Sequence, residues 1–304
     1  MEKVLKFYSS GKLLISGEYA VLDGAQALAL PTQLGQWLEV SASANPGVEW
    51  TAIDVGGNPW FSDVFSIKNF TPTKPEHPVS QRLSQLLREA RLQQPKFLLD
   101  SKGVKVQTRL EFHTDWGLGS SSTLVNNVAQ WAQANAYVLQ EKVFGGSGYD
   151  IGCAQSKSPI MFQRTGSQPL VKAVDFWPDF HQHLFFVYLN QKQDSRLAID
   201  QHFRGATAAQ IASINKCTET LLHAHHLADF QQAMRDHEAI IGHLIGQTPV
   251  QQSRFSDYDG AIKSLGAWGG DFVLACGPTK STDYFSKKGY TTILPFEKII
   301  SRGS

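Results

Sequence analysis

Apolar positions in the first third of the chain come in short runs and alternations rather than at helical spacing. Runs at residues 12–15 and 25–30 flank the turn-like Val21-Leu-Asp-Gly24, and Leu38 to Ala42 alternates with a period of two. A β-rich beginning is predicted. Asn45 to Pro78 is rich in Gly, Pro, Asn and Trp, with strand-like pieces such as Trp50-Thr-Ala-Ile53, and reads as strands and loops. The period then changes. From Val79 to Gln94, residues Leu83, Leu86, Leu87 and Ala90 fall at helical spacing, and Pro95 ends the helix because proline cannot continue the backbone ladder. Strand-like Val104 to Leu110 leads to a glycine-serine segment, after which Leu124, Val125, Val128, Ala129 and Ala132 repeat with helical period. Pro159 to Phe162 and the apolar run Leu184 to Leu189 predict further strands. Two or three helices are expected over Arg196 to Gly246. They are followed by a helix ending near Leu265, a glycine-rich turn at 266–270, a strand at Phe272 to Ala275 and a final helix-strand pair. The whole is an α+β pattern whose halves, 1–165 and 166–304, meet loosely near residue 165.

At 304 residues the chain is long enough for two lobes, and 11% aromatic residues argue against extensive disorder. Net charge is +1, from 28 Lys+Arg against 27 Asp+Glu, with no dense basic run of the kind that neutralises a nucleic-acid backbone. Nucleic acid is therefore not an expected partner, although a few converging cations would still receive a phosphorylated metabolite. The N-terminus carries no apolar run of signal-peptide length, and no segment reaches the roughly 20 apolar residues of a membrane span. A cytoplasmic protein without a membrane partner is expected. Cys153, Cys217 and Cys276 are widely spaced and odd in number, which fits reduced thiols better than a disulfide framework or a metal pair. The spacing of His223, His225 and His226 is too irregular for a metal site on one helix face.

The densest chemistry lies in Asp115-Trp-Gly-Leu-Gly-Ser-Ser-Ser-Thr123. Two glycines let backbone N–H groups approach an anion, the hydroxyls add donors and magnesium ligands, and the following helix points its positive end at the same place. The same segment also reads as a tight Gly-Leu-Gly turn whose serines cap a helix. Taken alone it supports both readings, and no lysine of the usual nucleotide-binding loop follows.

Three further segments place the loop in a wider pattern. Ser10-Gly-Lys-Leu-Leu-Ile-Ser-Gly-Glu-Tyr-Ala-Val-Leu-Asp-Gly24, continuing to Ala27-Leu-Ala-Leu-Pro-Thr32, resembles the opening motif of the GHMP kinases, in particular the mevalonate-kinase branch. The glycine-serine loop resembles the second motif of that family. Gly145-Gly-Ser-Gly-Tyr-Asp-Ile151 resembles the segment carrying its acidic catalytic residue. Gly266-Ala-Trp-Gly-Gly-Asp271 resembles the C-terminal glycine motif but departs from it, with Trp268 and Asp271 where glycine is usual.

The resemblance implies a two-lobed fold, with an N-terminal lobe like ribosomal protein S5 domain 2 and a ferredoxin-like α+β C-terminal lobe. It implies an ATP- and Mg²⁺-dependent kinase acting on a hydroxyl of a small isoprenoid precursor. A phosphomevalonate kinase, another GHMP kinase or a non-catalytic ligand-binding homologue is the alternative, and a homodimer is left open. By the same resemblance Asp150 is the general base, on a loop facing the γ-phosphate, and Lys12 is its cationic partner. A unit charge at about 4 Å in an intermediate dielectric is worth on the order of 4 kcal/mol, enough to hold a carboxylate ionised. Gly117, Leu118, Gly119, Ser120, Ser121 and Ser122 would hold the ATP phosphates, with Ser121 also a magnesium ligand. Glu141 is the nearest acid for the metal and reads equally as a solvated helix-end residue. Glu18 and Tyr19 occupy positions that the resemblance implies face the acceptor, and Arg196, which follows a buried strand, is a separate candidate cation for an acidic acceptor.

Overall fold

A computed structural model describes residues 4–166, 168–193 and 195–302 of the protein. The fold is mixed α+β, and the chain forms two compact units that interleave in sequence. Residues 1–11, 34–114 and 118–155 make the first, and residues 12–33, 115–117 and 156–304 the second. Strands β1 (Leu5–Leu14) and β2 (Ala27–Ala42) pair with each other and contribute residues to both.

The first unit contains β3 (Gly47–Ile53), β4 (Pro59–Phe65), α1 (Pro78–Gln93), β5 (Gly103–Leu110), α2 (Ser120–Ala132), α3 (Ala136–Val143) and α4 (Tyr149–Gln155). Strands β3 and β4 form an antiparallel hairpin, and α1 then returns the chain so that β5 lies parallel to β3. Residues Gln36 to Ala42 of β2 pair antiparallel with β5, giving the order β4-β3-β5-β2. Alternation along β5 buries Val104, Val106, Thr108 and Leu110 and leaves the intervening residues in water, as a half-covered strand requires. Helix α1 starts where the sequence predicts. Pro78 occupies the first turn, where its missing N–H costs nothing, and the His77 ring nitrogen accepts from Val79 N. Leu83, Leu86, Leu87 and Ala90 of α1 join Val125, Val128 and Ala129 of α2 and Trp50, Phe65 and Val106 of the sheet in one apolar core.

Of the buried polar residues on α2, Asn126 and Asn127 interrupt that core. Asn127 donates to Gln36 O at 2.8 Å and accepts from Ser9 Oγ at 2.8 Å. Asn126 donates to Ser9 Oγ at 2.9 Å and to Ala154 O at 3.2 Å. Apolar contact sets how near a helix lies to a sheet but only weakly how far it slides, whereas these directional bonds fix α2 along its axis.

The second unit contains β6 (Ile160–Gln163), β7 (Leu170–Ala173), β8 (Leu184–Tyr188), α5 (Ser195–His202), α6 (Ala208–His223), α7 (Leu227–Ile245), α8 (Val250–Arg254), β9 (Ala261–Ser264), β10 (Phe272–Cys276), α9 (Ser281–Lys287), β11 (Ile293–Pro295) and α10 (Phe296–Ile299). Residues Ala27 to Ala29 of β2 pair with β6, which pairs with β7. A separate antiparallel sheet has the order β11-β8-β10-β9. Every residue of β10 is buried, as expected for a strand with neighbours on both edges and α7 packed over β9. The predicted helix ending near Leu265 is corrected: Ala261 to Ser264 is a fully buried strand paired with β10. Asp259-Gly260 breaks the chain before it, and pairing to β10 outweighs local propensity. Among the described residues no helix is long and apolar enough to cross a membrane.

Asn127→Ala leaves Gln36 O and Ser9 Oγ short of a buried partner. It is expected to lower unfolding stability by about 1–3 kcal/mol, measured as a reduced urea midpoint with an unchanged slope.

Candidate functional site

In the first unit the glycine-serine loop delivers an open helix end. Leu118 is fully buried and anchors the loop. Gly119 caps α2 in the left-handed conformation, φ 89° and ψ 42°, which glycine adopts without steric penalty. The first closed backbone bond of α2 runs from Thr123 N to Gly119 O at 3.0 Å. Ser120, Ser121 and Ser122 are the first three helical residues, whose N–H groups have no intrahelical acceptor. Together with the helix dipole they form a donor cluster suited to an anion. Ser122 Oγ turns back to Gly119 O at 2.9 Å, and Thr123 Oγ1 donates to Gln36 Oε1 at 2.9 Å. Those two hydroxyls are thus committed to the protein, whereas Ser121 stands exposed at the helix start.

Asp150 is not on a loop as the motif suggested. It is the second residue of α4, half-buried, in a helix that begins immediately after Gly148. Asn126 ties α4 to α2, donating to Ala154 O while Gln155 donates to Asn126 Oδ1 at 3.1 Å. One helix therefore supplies the first-turn donors and positions the segment bearing Asp150. Glu141 lies exposed in α3. Among the described residues no group of three or more His, Cys, Asp or Glu side chains could hold a metal. The oxygen donors of Ser121 and Glu141 suit magnesium, which keeps several waters and needs few protein ligands. The histidines His223, His225 and His226 line a groove with Lys216 along α6 and α7.

In the second unit Lys12 is half-buried near the end of β1. The turn that follows is held by a fully buried polar cluster. Lys263 of β9 is in direct contact with Glu18 Oε1 and donates to Ser264 O at 2.8 Å. His237 of α7 accepts from Gly17 N through Nε2 at 3.0 Å, with Glu18 Oε2 at 3.5 Å. Because Nε2 is the acceptor, the ring proton sits on Nδ1. Next to it, Glu238 accepts from Ser264 N at 3.1 Å, from Ser264 Oγ at 2.9 Å and from Val250 N at 3.3 Å. Glu18, His237 and Lys263 have no exposed side-chain surface. Burial pushes the Glu18 carboxyl up against the opposing pull of Lys263. It pushes His237 well below the ordinary histidine range, reinforced by the Lys263 charge, so the ring is neutral. Glu238 is pushed up to about 7 by burial, which Lys263 and the Ser264 bonds only partly offset.

Glu18 is thus a buried partner of Lys263. Tyr19 is also buried, with its backbone at φ 59°, and its hydroxyl accepts from Trp268 N at 3.3 Å. Arg196 falls within α5, and its side chain lies outside the described residues. Lys263, His237, Glu238, Asn126 and Asn127 do not emerge from motif matching. The available signal is a charged or amide residue set among apolar neighbours, as in Ala261-Ile-Lys-Ser264.

Two outcomes follow for the cluster. Lys263→Met leaves Glu18 buried without its counter-charge and is expected to cost about 3–5 kcal/mol, most of it recovered in the Glu18→Met/Lys263→Met double variant, as read by chemical denaturation. Glu238 has an ordinary value of 4.5 and a folded value of about 7, so between them the folded chain holds a proton that the unfolded chain has released. Its contribution to stability is complete below that window and lost as pH rises through about 7. Melting temperatures over that range are expected to fall less steeply for Glu238→Gln than for the wild type.

The sequence matches no family model and no curated protein. Solved structures do match. The chain is similar to the Methanococcus jannaschii mevalonate kinase at TM-score 0.70 and 14% identity, covering 94% of each chain. It is similar to the Streptococcus pneumoniae phosphomevalonate kinase, solved with phosphomevalonate and AMPPNP, at TM-score 0.71 and 16% identity, covering 93% of this chain and 95% of that one. The Lactococcus lactis galactokinase, solved with galactose, matches at TM-score 0.68 and 13% identity, covering 99% of this chain and 94% of that one. The fold is that of the GHMP kinases.

Proposed function

We propose that this protein is an ATP-dependent kinase that phosphorylates the hydroxyl of a small isoprenoid precursor, with mevalonate as the first acceptor to test. The observation that carries the reading is α2. Its N-terminus follows a left-handed Gly119 and offers three unpaired backbone donors, and its Asn126 side chain holds the helix that bears Asp150. In this reading the donors of Ser120 to Ser122 bind ATP phosphates, with Gly117, Leu118 and Gly119 shaping the approach. Ser121 and Glu141 would hold magnesium, which when bound neutralises phosphate charge.

Asp150 accepts the proton of the acceptor hydroxyl as the hydroxyl oxygen bonds to the γ-phosphorus and the bond to the β-phosphate oxygen breaks, leaving ADP. Lys12 is the proposed cationic partner of the reaction, stabilising the developing negative charge on oxygen. Glu18 shapes the first-motif turn from within, Tyr19 lies beside it, and Arg196 is the proposed cation for an acidic acceptor. Division into functional halves at 1–165 and 166–304, a cytoplasmic location and a homodimer belong to the same proposal.

Purified protein with ATP, Mg²⁺ and mevalonate is expected to release ADP. Asp150→Asn should lower kcat about 10²–10⁴-fold while leaving the circular dichroism spectrum unchanged. Normal turnover by that variant would remove Asp150 from the mechanism. Phosphomevalonate is assayed alongside, because the structural likeness to the phosphomevalonate kinase, TM-score 0.71, is as close as that to the mevalonate kinase, 0.70. A higher kcat/KM on phosphomevalonate would reassign the acceptor. ADP release with neither, nor with homoserine or galactose, would overturn the kinase reading.

A further inference from the structure

Residues 115–117, which lead into the glycine-serine loop, are gripped by the start of β10 and the segment after β8. Trp116 and Phe272 meet edge to face, with ring centroids 5.8 Å apart and an interplanar angle of 88°. Lys192 Nζ lies 3.4 Å from Asp115 Oδ1 on the surface. Between these contacts the Asp271 carboxylate lies against Gly117. A Cβ added to Gly117 would stand 2.5 Å from Asp271 Cγ and 3.0 Å from its Oδ1, so no side chain fits there.

Asp271 is itself unusual. It is buried and has φ 52°, a left-handed backbone that aspartate tolerates better than most residues. Its position is fixed on every side. Asp271 N donates to Gln191 O at 2.6 Å, its carbonyl accepts from Leu189 N at 2.8 Å, and its Oδ1 accepts from Gln193 N at 3.2 Å. Burial pushes its carboxyl up, while the Gln193 N–H and then the Lys12 and Lys192 charges pull it down. At the other end of the same turn, Trp268 N donates to the Tyr19 hydroxyl.

We propose that Asp271 is a positioning residue for the nucleotide: its side chain seats Gly117, and through the 266–271 turn it couples the first glycine of the loop to the first-motif turn at Tyr19. The inference rests on the reading of 117–122 as the ATP phosphate loop. A glycine at 271 would satisfy the backbone conformation but leave a gap beside Gly117 and remove the acceptor of Gln193 N. Asp271 therefore adds by its side chain what glycine cannot, a fixed seat for the start of the loop.

Asp271→Gly suits the left-handed backbone and so separates seating from folding. The relieved backbone strain and the lost Gln193 N acceptor offset each other, so the variant is expected to change Tm little while weakening MgATP binding about ten-fold by calorimetry, with KM for the acceptor unchanged. Asp271→Asn keeps the shape and the acceptor oxygen and is expected to bind MgATP like the wild type. Gly117→Ala should lower Tm by about 5 °C in the wild-type background and by clearly less in the Asp271→Gly background, where the carboxylate is gone. Unchanged MgATP affinity in Asp271→Gly overturns the proposal, as does an Asp271→Asn variant as weak as Asp271→Gly. So does a Gly117→Ala shift equal in both backgrounds. If the wild type binds no MgATP, the kinase reading falls and with it the nucleotide role of Asp271, while the paired Gly117→Ala shifts still decide whether the carboxylate seats Gly117.

Discussion

An ammonium group removed from water survives only where an opposite charge and fixed acceptors replace its hydration, and the second unit is organised around that demand at Lys263. Its nitrogen lies between Glu18 and Ser264 O with no exposed surface, so a turn near the start of the chain and a strand near its end must meet at one point. Helix α7 is then fixed in rotation as well as position. His237 and Glu238 are consecutive, about 100° apart around the helix axis. One serves Gly17 N and the other Ser264, which leaves only one orientation that satisfies both. The first-motif turn, with Tyr19 held at positive φ, inherits its geometry from this arrangement.

Amides do in the first unit what charges do in the second. Asn126 and Asn127 sit among the apolar core residues of α2 and tie the helix to Ser9, Gln36 and Ala154. A neutral anchor suits this place, because a charge buried among the apolar side chains around α2 would need a counter-charge to replace its hydration. The serines divide in the same way. Ser122 and Thr123 brace the helix start, and the backbone donors beside them stay open. In a residue run that reads as both cap and anion site, no hydroxyl caps the helix: the later ones donate to Gly119 O and Gln36 Oε1, and the first-turn N–H groups are left to whatever lies beyond the helix end.

Much of this was legible wherever local pattern and tertiary demand agree. Helix α1 follows from four apolar residues and a proline, and the strand-loop-helix order around Gly117 to Ser122 follows from a change of period across two glycines. The readings fail where a distant partner decides. Gly145, Gly146 and Gly148 dominate the local pattern around Asp150 and suggest a loop, yet α4 forms because α2 packs beside it and its amide side chain meets the end of α4. Ala261 to Ser264 follows a helix-like stretch and becomes a strand because β10 offers it an edge. Nothing in the local sequence points to the partner of Lys263, since Glu18 is 245 positions away. Glu18 in turn reads as a residue facing an acceptor, because sequence shows its motif and not its burial.

The 266–271 turn shows why residue identity is an incomplete guide to such motifs. With tryptophan and aspartate where glycine is usual, it looks degraded, but the property glycine supplies at position 271 is a left-handed backbone, and Asp271 adopts it at φ 52°. An L residue in that region costs about 1–2 kcal/mol. Three hydrogen bonds from the 189–193 segment hold it there, two through its backbone and one through its carboxylate. The strain is therefore local and offset by local bonds, and the side chain that causes it fills the space beside Gly117, where the chain itself forbids any substituent. Glycine at 117 and a non-glycine at 271 are two halves of one steric arrangement: the carboxylate can occupy that space only because its neighbour has no Cβ.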